Sequence, residues 1–176
     1  MPRIPMLPAD IAEPADVVGA VRARRGGTLL HLDRMLLHSP PMAMGWNTYL
    51  GAVRTQLALS PRLRELAMCV VAVINGAEYE FQQHSPLYVA AGGTNAQVRA
   101  LRDPDAAMHD AALFDPCERA ALALIVEMTR HVKVHDATFD AVRAHLDDRR
   151  VVELVGVVAT YNMVSRFLVA LGVEPE

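Results

Sequence analysis

At Ser39-Pro40, Ser60-Pro61 and Asp115-Pro116 a capping side chain is followed at once by proline. A serine or aspartate at the N-cap accepts hydrogen bonds from the open N–H groups of a helix's first turn. Proline in the first helical position gives up only an N–H that had no partner there. Each pair therefore predicts a helix start. The stops are equally legible, because Gly26-Gly27, Asn75-Gly76, Gly92-Gly93 and Gly172 each follow a helix-like stretch. Residues at ease in left-handed backbone end helices in this way.

Between these marks the sequence predicts helices over Ala15–Arg25, Leu29–Leu37, Pro40 to about Leu57, and Pro61–Ile74. Further helices are predicted from about Ala77 to Ala91, from a Thr94/Gln97 capping box to about Arg102, and from Asp115/Glu118 to about His131. Two more run from Asp136 to His145 and from about Asp148 to Leu171. Pro86 falls inside the fifth of these and removes the amide that would bond back to Gln82, so a kink or a freed carbonyl is expected there. No run alternates with period two, and no Asn-Gly turn is flanked by alternation. The expected fold class is all-α, with short loops. Pro2, Pro5, Pro8 and Pro14 mark residues 1–14 as an extended arm ahead of a single helical domain over 15–176. A chain of 176 residues is long enough for such a core.

A net charge of −3 gives no electrostatic reason for a nucleic-acid or anionic-membrane partner. The N-terminus has no apolar stretch of the signal-peptide kind. The most apolar segment, Val151–Leu171, carries Glu153, Asn162 and Arg166, which would be expensive at a bilayer centre, so a buried or interface helix is expected. The two cysteines, Cys69 and Cys117, form no disulfide framework, which fits a reducing, cytoplasmic setting. Cys69 lies in an apolar run and reads as a core thiol. Cys117 lies at a helix start, where the macrodipole favours a thiolate, and is the more reactive candidate.

The chemistry concentrates in Asn75-Gly76-Ala77-Glu78-Tyr79-Glu80-Phe81-Gln82-Gln83-His84. Glu80 and His84 are four apart, so a helix places them on one face, about 5–6 Å between Cβ atoms. As an isolated pair they are equally an ordinary intrahelical ion pair. Glu127, His131 and His135 recur every four residues, but Asp136 reads as the next N-cap, which takes His135 off the helix face and argues against a metal site. His31 and His38 read as packing or surface residues, and no phosphate loop, serine-nucleophile elbow or zinc spacing is present.

Arg62-Leu63-Arg64-Glu65, the Asn75–His84 segment and Ala90-Ala91-Gly92 together resemble the carboxymuconolactone decarboxylase family, which shares the alkylhydroperoxidase D-like fold. Asp136-Ala137-Thr138-Phe139, Val152-Glu153-Leu154-Val155 and Tyr161-Asn162-Met163 look like its longer members. The resemblance implies that the two redox cysteines of the peroxidase branch fall at Ala77 and Glu80, its histidine at His84 and its relay glutamate at Glu65. Dithiol peroxide reduction needs a thiolate and a resolving thiol, and neither Ala77 nor Glu80 supplies one.

The resemblance therefore implies a cofactor-independent decarboxylase-like enzyme acting on a small carboxylated or lactone-like acid by decarboxylation or proton transfer. It also implies a homo-oligomer (dimer, trimer or hexamer). In that reading His84 is the general acid/base, Glu80 orients it or shares its proton, and Glu65 is a relay that acts through these groups rather than on substrate. Tyr79, Tyr161 and Asn162 are candidate donors to substrate. The alternatives are a thiol peroxidase, disfavoured by the missing cysteines, and a non-catalytic oligomeric small-molecule-binding protein.

Overall fold

The computed structural model describes residues 2–176. Among the described residues there are ten helices and no strand. Contacts divide the chain into two compact units, Met1–Leu57 with Ala170–Glu176, and Ala58–Val169.

The first unit holds α1 (Ala15–Arg25), α2 (His31–Leu36) and α3 (Pro40–Thr55), with α3 packed on both others. The proline arm is fastened to it through its carbonyls. Arg22 binds those of Ala9 and Ile11, Arg34 that of Leu7, and His38 that of Pro5. Asp33 accepts from the Leu30 amide and pairs with Arg25 at 2.9 Å, which fixes the α1–α2 connection. Ser39 precedes α3 as expected, but its side chain makes no capping bond.

The second unit is built around α4 (Pro61–Ile74), which packs against α5 (Glu78–Ala90) and α8 (Pro116–His131). The sequence is apolar from Leu66 to Val71 without a polar break, and all six residues are fully buried. A helix apolar all round belongs at the centre of a bundle. The other helices are α6 (Asn95–Ala100) against α5, α7 (Pro104–Ala107) against α4, α6 and α8, α9 (Asp136–Arg143) against α8, and α10 (Asp148–Leu171). The caps behave as their chemistry requires: Ser60 accepts from the Leu63 amide, and Thr94/Gln97 and Asp115/Glu118 each close a reciprocal capping box.

Two elements differ from expectation. The short α7 was not predicted, although Asp103-Pro104 carries the cap-and-proline signal and the Asp103 side chain accepts from the Ala106 amide. Asp136 is the first residue of α9 rather than its cap, and His135 holds the cap position. The α5 helix runs on through Pro86, in keeping with the expected span. By length and hydropathy α10 could cross a membrane, but half of its apolar window is buried inside the protein, and its polar residues face protein partners. Glu153 accepts from the Leu59 amide at 2.7 Å, and Arg166 donates to Asn162 at 2.7 Å. That agrees with a core or interface helix.

Candidate active site

The α4–α5 hairpin makes the site. Asn75 closes α4, Gly76 turns the chain at a positive φ of 66°, and the Ala77 amide returns to the Ala72 carbonyl at 2.8 Å. A side chain at that φ would be strained, which is the reason for glycine. The two helices then run back along each other, and residues equidistant from the turn meet. Glu65 lies ten positions before Asn75 and His84 nine after it.

Glu65 Oε2 stands 2.6 Å from His84 Nδ1. On the other side of the ring, Glu80 Oε2 stands 3.2 Å from Nε2. One imidazole is thus flanked by a carboxylate at each nitrogen, and the exposures of Glu65, Glu80 and His84 are only 5%, 1% and 1%. The Tyr161 ring meets the imidazole edge-on, with centroids 5.0 Å apart and planes at 89°. That contact and the short Glu65 bond fix the ring's orientation.

Glu65 holds the imidazole directly, through Nδ1. Glu80 faces the opposite nitrogen at short distance, but its Oε2 takes no hydrogen bond at all. Burial pushes the Glu65 carboxyl up. The His84 hydrogen bond and charge, with Arg64 at 3.4 Å, outweigh that and hold it below the usual carboxylate range. Glu65 is therefore an anion prepared to stabilise positive charge on the ring.

Of the residues expected to contact substrate, Tyr161 is brought to the imidazole and Tyr79 is buried in the first turn of α5. The Asn162 amide is occupied elsewhere. It donates to Thr129 and to the Val158 carbonyl, and accepts from Asn75 and Arg166. These bonds tie the α4–α5 turn to α8 and α10. All four bonds of the amide are thus made within the protein.

Sequence reasoning missed three neighbours of the site. Arg64 pairs with Glu65. Cys69 lies one turn after Glu65 on α4, and the signal for it was the four-residue spacing. Burial, with the charges of Glu65 and Glu80, pushes its thiol up to about 12 against a smaller opposing effect of Arg102. Arg102 itself grips Glu78 with two bonds of 2.7 and 3.0 Å and lies over the Phe81 ring at 3.6 Å.

The Cys117 thiol also lies above its ordinary value, because of burial and then the charges of Asp115 and Glu118. This corrects the expectation of a thiol favoured as thiolate, while Cys117 stays the less buried of the two cysteines. The helix start is present, but two acids and partial burial oppose it. Cys117 lines a cleft of about 370 Å³ with Leu59, Arg62, Glu118, His145 and Arg150, to which Glu65, Glu80 and His84 contribute nothing. Glu127 fastens the α8–α9 loop through the His135 amide at 2.9 Å and the Thr138 hydroxyl at 2.7 Å. Among the described residues, no group of three or more His, Cys, Asp or Glu side chains is arranged to hold a metal ion.

The model of the carboxymuconolactone decarboxylase family matches residues 40–127, half of the chain and all of the α4–α5 hairpin. The chain belongs to the carboxymuconolactone decarboxylase family. Uncharacterized protein YdfG of Bacillus subtilis (strain 168) is 26% identical over 123 residues, covering 66% of this chain and 78% of YdfG.

Among solved structures, an uncharacterized peroxidase-related protein from Silicibacter sp. TM1040 aligns over 99% of this chain and 94% of its own, with a TM-score of 0.82 at 19% identity. The debrominase Bmp8, as a cysteine-to-alanine variant in complex with 2,3,4-tribromopyrrole, aligns over 100% and 94%, with a TM-score of 0.82 at 14% identity. An alkylhydroperoxidase AhpD core protein from Ralstonia eutropha JMP134, itself an uncharacterized peroxidase-related protein, gives 0.81 at 18% identity over 99% and 92%. At such identities these likenesses establish the alkylhydroperoxidase D-like helical fold and leave the reaction to be argued from the site.

Proposed function

We propose that this protein is a cofactor-independent enzyme that moves a proton to or from carbon in a small organic acid or lactone-like substrate, by decarboxylation or isomerisation. The observation that supports this is the buried Glu65–His84–Glu80 constellation, with one carboxylate hydrogen-bonded to the imidazole and the other left open beside it.

In the decarboxylating form, the bond from substrate carbon to carboxyl breaks and CO2 leaves. The electron pair spreads into a conjugated carbonyl as an enolate, and the imidazolium then protonates carbon. His84 carries the proton on the side facing Glu80, while Glu65 stabilises the ring's positive charge through Nδ1. Glu65 is a positioning residue, because it acts on the imidazole. Tyr79 and Tyr161 are the candidate donors for the developing oxyanion. In the isomerising form the same imidazole removes a proton from one carbon and returns it to another.

The dithiol chemistry of a peroxidase has no support in this site. Ala77 and Glu80 stand where that chemistry would need thiols, and Cys69 is fully buried with its thiolate strongly disfavoured. Assembly into a homo-oligomer in the cytoplasm with a small-molecule partner is part of the same proposal. It draws support from exposed apolar side chains on α10, with Val152 at 71%, Met163 at 41% and Val169 at 46%.

The test is turnover of a panel of carboxylated lactones and β-keto acids, followed by ultraviolet absorbance and CO2 release. Wild type is run beside His84→Ala and Glu80→Ala. Release by wild type and its loss in both variants supports the proposal. Release undiminished in His84→Ala refutes the assignment of the site.

A further inference from the structure

Glu80 presents an unusual difficulty for a protein interior. Its side chain is 1% exposed, and its Oε2 accepts no hydrogen bond. Buried carboxylate oxygens are almost always given donors, and an orphaned one in a native site calls for a specific explanation. His84 Nε2 stands 3.2 Å away, without the alignment of a hydrogen bond.

The cations around the hairpin are engaged elsewhere. Arg64 pairs with Glu65, Arg102 with Glu78, Arg62 with Glu118, and Arg166 with Asn162. Among the described residues, no arginine or lysine is therefore paired with Glu80, and one flank of the imidazole already carries the Glu65 anion.

A group seated at Oε2 meets an acceptor with unused capacity in a field made by two carboxyl groups. A hydroxyl, an enol or an N–H answers both conditions by donating a hydrogen bond without bringing charge. A carboxylate answers neither, because it has no proton to give and is repelled where water cannot screen it. An ether or ketone oxygen leaves the orphan unpaired.

We propose that the ligand of this site meets Glu80 Oε2 with a neutral hydrogen-bond donor, a hydroxyl, enol or N–H group, and that the site rejects a carboxylate in that position. This rests on the reading that the Glu65–His84–Glu80 constellation is where substrate binds. It narrows the substrate class to molecules carrying such a donor beside the reacting carbon. Any carboxyl group of the substrate then lies away from Glu80.

Three aromatic probes separate these terms at constant size: phenol donates, anisole only accepts, and benzoate carries the charge. Their affinities for the full-length protein are measured by NMR titration at pH 7, in wild type and in Glu80→Gln. Thermal unfolding of the variant verifies that it is folded. The expected result is phenol binding at least ten-fold tighter than anisole and benzoate in wild type. In Glu80→Gln that preference shrinks several-fold and benzoate gains, because an amide carries no charge and can donate.

Equal affinities, a preference for benzoate, no binding of any probe at millimolar concentration, or a phenol preference unchanged in Glu80→Gln would each overturn the proposal. The wild-type comparison stands even if the variant fails to fold. The two proposals can also fail separately. A phenol preference without turnover of the acid panel removes only the proposed reaction. Turnover that depends on His84 without a phenol preference removes only the donor rule.

Discussion

Replacing Glu65 by Gln removes one charge from the imidazole while keeping the shape of the side chain. The bond lost is a buried, charge-assisted contact of 2.6 Å between Glu65 Oε2 and His84 Nδ1. Hydrogen bonds to charged groups contribute about 1.5–3 kcal/mol, and a neutral one about 1 kcal/mol. Glutamine still offers an oxygen to Nδ1, so the net loss is about 0.5–2 kcal/mol. The 3.4 Å contact to Arg64 is at the long end of hydrogen-bond range and is left out of this figure.

For a chain of this length, about 2–4 °C of melting temperature corresponds to each kcal/mol. The midpoint of Glu65→Gln is therefore expected about 1–8 °C below wild type at pH 7, measured by circular dichroism. The pH dependence has a definite sign. The Glu65 carboxyl is held below its ordinary 4.5 in the folded protein. Its contribution is then complete above about pH 4.5 and is lost as pH falls through the lowered value. The gap between wild type and variant should be full at pH 7 and close in acid. The imidazole nitrogens of His84, followed by 15N NMR, should change shift in the variant, since the charge that stabilises a proton on Nδ1 is gone. A melting temperature within about 1 °C of wild type, or an unchanged His84 spectrum, would refute the account of Glu65 as the residue that holds the ring.

Other expectations follow from local geometry. A Cβ at Gly93 would come within 2.5 Å of the fully buried Tyr88 ring, so Gly93→Ala should lose about 1–3 kcal/mol in urea unfolding through overpacking. Val132 ends α8 with a positive φ of 66° while 82% exposed, so Val132→Gly should gain about 1 kcal/mol in the same measurement by relieving backbone strain. In native protein at pH 7, a chromogenic thiol reagent should modify Cys117 slowly and Cys69 only on unfolding. Replacing both cysteines by alanine should leave turnover of the proposed substrates unchanged.

How much of this the sequence disclosed depended on whether the signal was local. Helix starts and stops are local, and the caps and glycines placed most helix ends to within a few residues. The pairing of Glu80 with His84 is local too, being one turn of α5. The position of Glu65 was legible only through the resemblance, because its contact with His84 spans 19 residues and depends on how the hairpin closes. That closure also decided which carboxylate binds which nitrogen. Periodicity gave little guidance for α5, since its buried side carries Glu80 and His84 among Tyr79, Phe81 and Tyr88. Asn162 was ambiguous for a related reason. A polar residue on an apolar helix can serve a ligand or the protein, and its four partners come from the α4–α5 turn, α8 and α10 itself. Cys117 misled because the acids that oppose its ionisation also serve as the capping box that marks the helix start.

The account rests on proton transfer between His84 and carbon, and deuterium uptake reads that step without requiring that CO2 be lost. Unsaturated lactones and β-keto acids are incubated in D2O with wild type and with His84→Ala, and deuterium at carbon is followed by mass spectrometry. The account predicts enzyme-dependent uptake by wild type and a rate at least about 100-fold lower in His84→Ala, the contribution expected of a positioned general acid/base. Uptake at the same rate in both proteins would contradict it.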